Sequence, residues 1–148
     1  MSSLMRERSF AVDPQELLPA LTPDNEPYWS ALAQGRLQVQ SCSDCKTHRF
    51  PIAPVCPACG STQTQWTTLD GTGVIHSWVR LHKGYLAAFA DLLPYVVATV
   101  QLKEGVRMYA LLVDDGPDVH IGQAVRMQIE RWPDGRCVPV FQPLEKTK

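Results

Sequence analysis

The amino-acid sequence predicts a mainly β protein that combines a metal-binding cysteine ribbon with a small closed β-barrel. Two C-x2-C pairs, separated by ten residues, indicate the ribbon. Apolar and polar residues then alternate with a period of two over residues 65–141, which is typical of half-buried strands. One short stretch, residues 26–34, has helical spacing. The chain has 148 residues, 45% of them hydrophobic, which suffices for one core with a small appendage.

An extended N-terminal arm is predicted for residues 1–23. Its prolines disfavour a helix because each one lacks a backbone donor and collides with the preceding turn. These prolines are Pro14, Pro19 and Pro23. We expect the arm to be extended and partly disordered.

A short helix is predicted at residues 26–34. Asp24 or Asn25 suits the N-cap, and Gly35 suits the C-terminal stop. The apolar stripe of this helix consists of Tyr28, Trp29 and Leu32. A strand at residues 36–40 then leads into the first cysteine pair.

The two cysteine pairs predict one structural metal ion. Two thiolates that are two residues apart bind one metal from a tight turn, and two facing turns complete a tetrahedron. A catalytic metal needs an open position, which four protein sulfurs do not leave. We therefore expect one structural Zn²⁺ per chain; thiol redox chemistry and iron in an electron carrier are the alternatives. The predicted ligands are Cys42, Cys45, Cys56 and Cys59.

Residues next to the cysteines refine this prediction. Gly60 follows the second pair and suits a metal-binding turn, because glycine readily adopts a positive φ. Lys46 stands at the corresponding place in the first turn. His48 is expected to be a solvated ribbon residue, and Cys137 a lone thiol or a core residue.

The second half of the chain predicts an all-β barrel of five or six strands. Turn sequences rich in glycine, aspartate and proline separate these strands. Closure removes the exposed edges of so narrow a sheet, so we expect an OB-like barrel rather than a sandwich. The predicted strands are residues 65–69, 74–81, 95–102, 106–113, 125–132 and 138–141.

Short motifs follow one another in a fixed order along residues 24–141. In the first half they are Tyr28-Trp29, Leu37, Val39-Gln40, the two cysteine pairs, Phe50-Pro51 and Gly60. In the second half they are Trp66, Gly71, Gly73, Ile75, Ser77, Leu93-Pro94-Tyr95, Val100, Leu102, Gly105, Ile121-Gly122 and Val125. In this order they resemble the DUF35 family. The chain departs from that family at Lys46, where a glycine is frequent, and in its proline-bearing arm.

The resemblance implies a rubredoxin-like zinc ribbon joined to an OB fold. It also implies a noncatalytic accessory subunit that pairs with a thiolase-like enzyme, an aldolase or a MaoC-like hydratase, with acyl-CoA as a candidate ligand. The corresponding division of the chain is an arm at residues 1–23, a helix plus zinc ribbon at 24–66 and an OB-fold domain at 67–148.

The segment at residues 82–93 is longer than a hairpin turn requires. Its apolar residues recur at helical intervals, so it either caps the barrel end or presents a contact surface to a partner. Tyr85 and Phe89 are the aromatic residues of that surface. Three basic residues nearby are candidate ligands for the phosphates of a CoA carrier: Arg80, His82 and Lys83.

The motif content favours a noncatalytic role. The sequence has no serine–histidine–acid motif, no H-E-x-x-H and no phosphate-binding loop. Asp114 and Asp115 are adjacent in a predicted turn, so we expect them to be solvated rather than paired for catalysis. His76 and His120 are expected to be structural or surface histidines.

Charge and hydropathy narrow the possible partners. The 14 lysines and arginines are balanced by 15 acidic residues, which disfavours a nucleic-acid partner. A single-stranded nucleic-acid-binding OB protein is nevertheless the alternative function, with Trp66, Trp78 and Trp132 as stacking residues. No apolar stretch reaches the roughly 20 residues that span a bilayer, and no secretory signal is recognisable. We therefore expect a cytoplasmic protein without a membrane partner.

Overall fold

The computed structural model describes residues 5–10, 18–114, 116–133 and 135–144 of the chain. Within these ranges the protein is mainly β, as predicted, with a single short α-helix. The elements in chain order are β1 (Met5–Glu7), α1 (Glu26–Ala33), β2 (Leu37–Cys42), β3 (His48–Arg49), β4 (Thr64–Leu69), β5 (Thr72–Leu81), a 3₁₀ helix (Ala87–Leu92), β6 (Tyr95–Leu102), β7 (Arg107–Leu112), β8 (Ala124–Arg131) and β9 (Cys137–Pro143).

Five strands close into a barrel. β5 pairs with β6, β6 with β7, β7 with β9 and β9 with β8, which returns to β5. The β7–β9 pair is parallel and joins Leu112 to Phe141, whereas the other four pairs are antiparallel. The predicted OB-like barrel is therefore confirmed with five strands, whereas the strand predicted at residues 65–69 pairs with β2 in a second sheet. Each predicted strand end in the barrel lies within two residues of the observed end.

Alternate residues of the strands fill the barrel interior. Phe141 on β9 is fully buried and is the largest of the fully buried side chains. The inward residues of β6 and β8 are Val96, Ala98, Val100, Leu102, Val125, Met127 and Ile129. Burying one valine, leucine or isoleucine side chain stabilises a fold by about 1.5–3 kcal/mol, so the period-two pattern determines which face of each strand turns inward.

A second, antiparallel sheet carries the cysteine ribbon in the strand order β3-β2-β4. Helix α1 packs against it. Tyr28 and Leu32 of the helix belong to the same core cluster as Leu37 and Val39 of β2 and as the barrel interior. The ribbon and the barrel therefore share one continuous core, which fixes their relative positions.

The ends of α1 agree with the sequence prediction. Asn25 is the N-cap, but its side chain bonds the backbone N–H of Thr22 and the carbonyl of Ala20 instead of a helix N–H. At the other end Gly35 adopts a φ of +84° and donates its N–H to the Leu32 carbonyl at 3.0 Å. This left-handed conformation is readily available to glycine, and it ends the helix where predicted.

Part of the N-terminal arm is built into the fold. β1 pairs in parallel with β8, and the Arg8 backbone N–H continues the ladder to the Arg131 carbonyl at 2.9 Å. The Arg8 guanidinium then binds Glu130 with two nitrogens, with Nε 2.9 Å from Oε1. Residues 1–4 and 11–17 lie outside the described residues, so the expected disorder of the arm stays a prediction there.

One part of the segment at residues 82–93 caps the barrel, whereas its role as a contact surface for a partner stays a prediction. Phe89 packs in an aromatic cluster, with its ring centroid 5.7 Å from that of Phe10, 5.4 Å from Tyr95 and 6.1 Å from Trp132. This half of the segment caps the barrel. Tyr85, in contrast, is 69% exposed.

Candidate metal centre and apolar groove

The four cysteine sulfurs of the two pairs converge on one point. The Sγ atoms of Cys42, Cys45, Cys56 and Cys59 all lie within 4.8 Å of one another. The Cys42–Cys59 and Cys45–Cys56 sulfur distances are 3.5 and 3.6 Å. A tetrahedron with metal–sulfur bonds of about 2.3 Å has edges of about 3.8 Å. The four cysteines are therefore positioned for a tetrahedral metal ion.

Two turns with the same backbone pattern present these sulfurs. In the first, Cys42 donates its N–H to the Thr47 carbonyl, and the Lys46 N–H returns to the Cys42 carbonyl, both at 2.9 Å. In the second, the Cys56 N–H donates to the Ser61 carbonyl and the Gly60 N–H donates to the Cys56 carbonyl, again at 2.9 Å. The two C-x2-C pairs thus fold as equivalent metal-binding turns.

The residue after each cysteine pair has a positive φ. Gly60 has a φ of +80° and Lys46 a φ of +67°. The first value is expected for glycine, whereas a lysine pays a steric penalty for the same conformation. Lys46 therefore replaces the glycine expected at this position but has the same kind of left-handed backbone as Gly60.

Backbone donors and neighbouring side chains support the cluster. The N–H groups of Cys45 and Ala58 each lie 3.4 Å from a sulfur, that of Cys42 and that of Cys56 respectively. Ser61 donates its hydroxyl to the Asp44 carboxylate at 2.6 Å, which links the two turns directly. Such contacts orient the ligands before a metal binds.

The pKa values of the Cys42 and Cys59 thiols show that the negative charges of the cluster would repel one another. The backbone N–H of Cys45 lowers the pKa of the Cys42 thiol to about 6. For Cys59, a backbone hydrogen bond at Ser61 lowers the pKa, but Cys42 and Cys45 outweigh it and raise the value to about 12. Four adjacent sulfurs cannot all ionise without compensation, and a divalent cation supplies it.

His48 lies on β3 of the ribbon sheet and is held by a hydrogen bond. Its Nδ1 is 2.7 Å from the Ser41 hydroxyl, which is also 2.7 Å from the Thr67 hydroxyl. This network joins the three strands of the ribbon sheet. His48 is absent from the group of potential metal ligands in the described part of the chain.

An apolar groove of about 550 Å³ lies between α1, the loop after β3 and strands β7 and β9. Its aromatic lining consists of Tyr28, Trp29, Phe50, Phe89, Tyr109 and Trp132. Burial raises the pKa of the Tyr28 hydroxyl, which therefore stays protonated in the groove wall. Sequence reasoning missed this groove because its walls come from distant elements and no local pattern marks them.

The candidate CoA-binding residues lie outside the lining of this groove. The Arg80 guanidinium is 5.7 Å from the ring centroid of Trp78, and Lys83 Nζ is 5.4 Å from that of Tyr85. His82 is exposed. Phosphate binding by these three residues stays a prediction.

The three tryptophans proposed as stacking residues are not equally accessible. Trp132 is 5% exposed, and its Nε1 donates to Glu130 at 3.3 Å. Trp66 and Trp78 are half-buried against the core. Stacking on a nucleic-acid base requires an open ring face, so Trp132 is not available for the alternative function.

Two family models match the ribbon and the barrel, and solved structures share this architecture. The models, described as "ChsH2, rubredoxin-like zinc ribbon domain" and "ChsH2, C-terminal OB-fold domain", match residues 29–65 and 66–130. A structure described as "Ltp2-ChsH2(DUF35) aldolase" is 38% identical, with a TM-score of 0.77 over 85% of this chain and 98% of that chain. The chain belongs to the DUF35 family. The resemblance seen in the sequence motifs is thereby confirmed.

Two curated proteins are similar to this chain in sequence. A "Probable enoyl-CoA hydratase alpha subunit" of Thermomonospora curvata is 41% identical over 129 residues, which is 84% of this chain and 39% of that protein. A "DUF35 domain-containing scaffold protein" of Methanocaldococcus jannaschii is 34% identical over 92 residues, or 61% of this chain and 64% of that protein. The chain thus spans about two fifths of the hydratase subunit's length and under two thirds of the scaffold protein's.

The described residues include one α-helix, which has 8 residues. No helix in these ranges is long and apolar enough to cross a membrane.

Proposed function

We propose that this chain is a noncatalytic accessory subunit of an acyl-CoA-processing enzyme, which it joins by binding a thiolase-like enzyme, an aldolase or a MaoC-like hydratase subunit. The observation that carries the proposal is the likeness over 98% of a chain described as part of an Ltp2-ChsH2(DUF35) aldolase. A relative named as a hydratase alpha subunit supports the same class. The proposal retains the division into an arm (1–23), a ribbon unit (24–66) and an OB-fold domain (67–148).

The proposed cofactor is one Zn²⁺ per chain. When bound, it supplies a structural cross-link that has no open position for substrate. The proposed ligands are Cys42, Cys45, Cys56 and Cys59, and the short sulfur–sulfur distances support them. The ribbon segment between the two turns includes residues 50–54, which line the apolar groove. Fixing both ends of that segment would therefore hold one wall of the groove in place.

Acyl-CoA is the proposed ligand. An apolar groove of about 550 Å³ is large enough for a small molecule and suits the acyl part. The proposal retains Arg80, His82 and Lys83 as candidate contacts for the CoA phosphates.

Co-expression with each candidate class of partner tests the proposed function. We expect the chain to co-elute with a thiolase-like enzyme, an aldolase or a MaoC-like hydratase from the same organism, and to raise the activity or the melting temperature of that partner. The chain alone should not turn over acyl-CoA. Turnover by the chain alone, after removal of any contaminating enzyme, would show that it is an enzyme itself.

Metal analysis of freshly purified protein tests the proposed cofactor. We expect about one zinc per chain and no visible absorbance, because a zinc–thiolate site is colourless whereas iron–thiolate absorbs visible light. Cys45→Ser should lose the metal. Cys137→Ser is the matched control, since Cys137 lies outside the metal cluster and should leave the metal content unchanged. Full zinc retention in the Cys45→Ser variant would contradict the assignment.

Equilibrium binding of acyl-CoA tests the ligand. We expect Arg80→Ala, His82→Ala and Lys83→Ala together to weaken binding of acyl-CoA more than binding of the matching free fatty acid. Equal effects on both ligands would remove the phosphate role from these residues.

A further inference from the structure

The outer side of β5, β6 and β7 carries an uncharged face. Strand register places its members in two rows, one around Val97 and one around Thr99, each spanning all three strands. We call the following six residues the outer apolar face: Ser77, Val79, Val97, Thr99, Tyr109 and Leu111. On β6 and β7 the face alternates with residues that are buried in the barrel, which include Ala98, Met108 and Leu112, so the six residues point away from it.

The outer apolar face has distinct borders. At one end Arg107 donates its Nε to Gln101 at 3.1 Å, which forms a polar rim. At the other end the 3₁₀ helix covers the sheet, because Phe89 packs edge-on against Tyr95. Between these borders Tyr109 is 79% exposed and Val79 is 58% exposed.

Composition distinguishes this face from the outer side of β8. The solvated side of an antiparallel sheet is normally polar. Strand β8 follows that rule, since its outward residues include Arg126 and Gln128. None of the six residues of the outer apolar face is charged, although 20% of the chain is. Exposed apolar surface with a polar rim is typical of a protein contact site.

We propose that the outer apolar face binds the catalytic subunit of the enzyme complex, through a concave and uncharged surface of that subunit. This inference rests on the proposed function. Three strands spaced about 4.8 Å apart and two rows about 7 Å apart give an area on the order of 150 Å². A stable interface needs about 800 Å² from each partner, so the six residues can form only the centre of such an interface.

The curvature of the barrel surface distinguishes a second copy of this chain from a different protein as the partner that binds the face. The outside of a closed barrel is convex, so a second copy of this chain would touch little more than the two rows. A concave partner also contacts residues beyond the border. Tyr85 and Leu86 directly precede the 3₁₀ helix and are 69% and 43% exposed, so they extend the contact on that side. The face therefore fits a different protein better than a second copy.

Quantitative binding of purified variants tests the proposal. The probe is the thiolase-like enzyme, aldolase or MaoC-like hydratase that binds the wild-type chain. We expect Tyr109→Glu to weaken the complex at least about tenfold, the scale of a residue at the centre of an interface. Val79→Glu should act in the same direction and provides a second, independent variant. Ala124→Glu is the matched control, because it adds one negative charge at an exposed position of β8. Thermal melts of each free variant show that it is folded.

The outcomes separate this inference from the proposed function. If the wild-type chain binds a partner and both face variants bind equally well, the face proposal is wrong and the proposed function stands. If none of these classes of partner binds the wild-type chain, both are wrong. If the free chain sediments as a dimer that Tyr109→Glu converts to a monomer, the occupant is a second copy, and the proposed partner is overturned.

Discussion

The pair between Arg8 and Glu130 offers a sharp test of how the N-terminal arm contributes to stability. Glu130 points away from the barrel interior, yet its side chain is 2% exposed because the arm covers it. Arg8→Met preserves the length of the side chain and removes its charge. Among the described residues, the carboxylate would then keep the Trp132 indole N–H, at 3.3 Å, as its hydrogen-bond donor. Breaking one partner of a buried ion pair costs about 3–5 kcal/mol, which is a large part of a typical stability of about 5–15 kcal/mol.

Urea unfolding of the metal-loaded protein measures this cost. With a slope of about 1–3 kcal/mol per molar urea, a loss of about 3 kcal/mol lowers the midpoint by at least about 1 M. The double variant Arg8→Met/Glu130→Met removes both charges and should recover most of the loss. A cost below about 1 kcal/mol for Arg8→Met would mean that the pair behaves as an exposed one. The reasoning would also be refuted if the loss of unfolding free energy in the double variant equalled the sum of the losses in the two single variants.

Two further predictions concern backbone geometry, both measured by urea unfolding. Gly73→Ala should cost about 1–3 kcal/mol, because its added Cβ would lie 2.3 Å from the Gln101 carbonyl oxygen. Gly84→Ala is the control, because Gly84 does not have a left-handed φ and its added Cβ would lie no closer than 3.4 Å to a neighbouring atom; a cost as large as that of Gly73→Ala would exclude crowding as the cause. Lys46→Gly should raise stability by up to about 1 kcal/mol by relieving a φ of +67°. A loss of stability would mean that the hydrogen bond from Lys46 Nζ to the Ser43 carbonyl outweighs the strain.

Local patterns in the sequence were sufficient to predict the barrel strands and the cysteine cluster. Strand β6 is observed at Tyr95–Leu102, the range that its alternation of apolar and polar residues predicts. The reason is that a strand with one buried face must show period two, whatever its partners are. The cysteine pairs were predictable for a similar reason, since a tight turn brings two thiolates to one metal without help from distant residues.

Features that depend on distant residues were not predictable. Arg8 and Glu130 are 122 positions apart, and the sequence around either residue does not indicate that the two interact. The strand β1 was likewise missed, because three residues are too few to show a period. The segment at 82–93 was ambiguous for a physical reason, since Phe89 faces an aromatic cluster while Tyr85 faces solvent. Its apolar spacing alone does not separate these two environments.

The two proposed binding surfaces depend on different parts of the fold. One wall of the apolar groove is the ribbon loop that includes Phe50 and Ile52, and both ends of the ribbon segment containing that loop are fixed by the cysteine cluster. The outer apolar face belongs to β5, β6 and β7, whose register is set by strand pairing within the barrel. Tyr109 and Leu111 line both surfaces. A partner seated on the outer apolar face would therefore contact the groove at its β7 side, while the metal would hold the opposite wall.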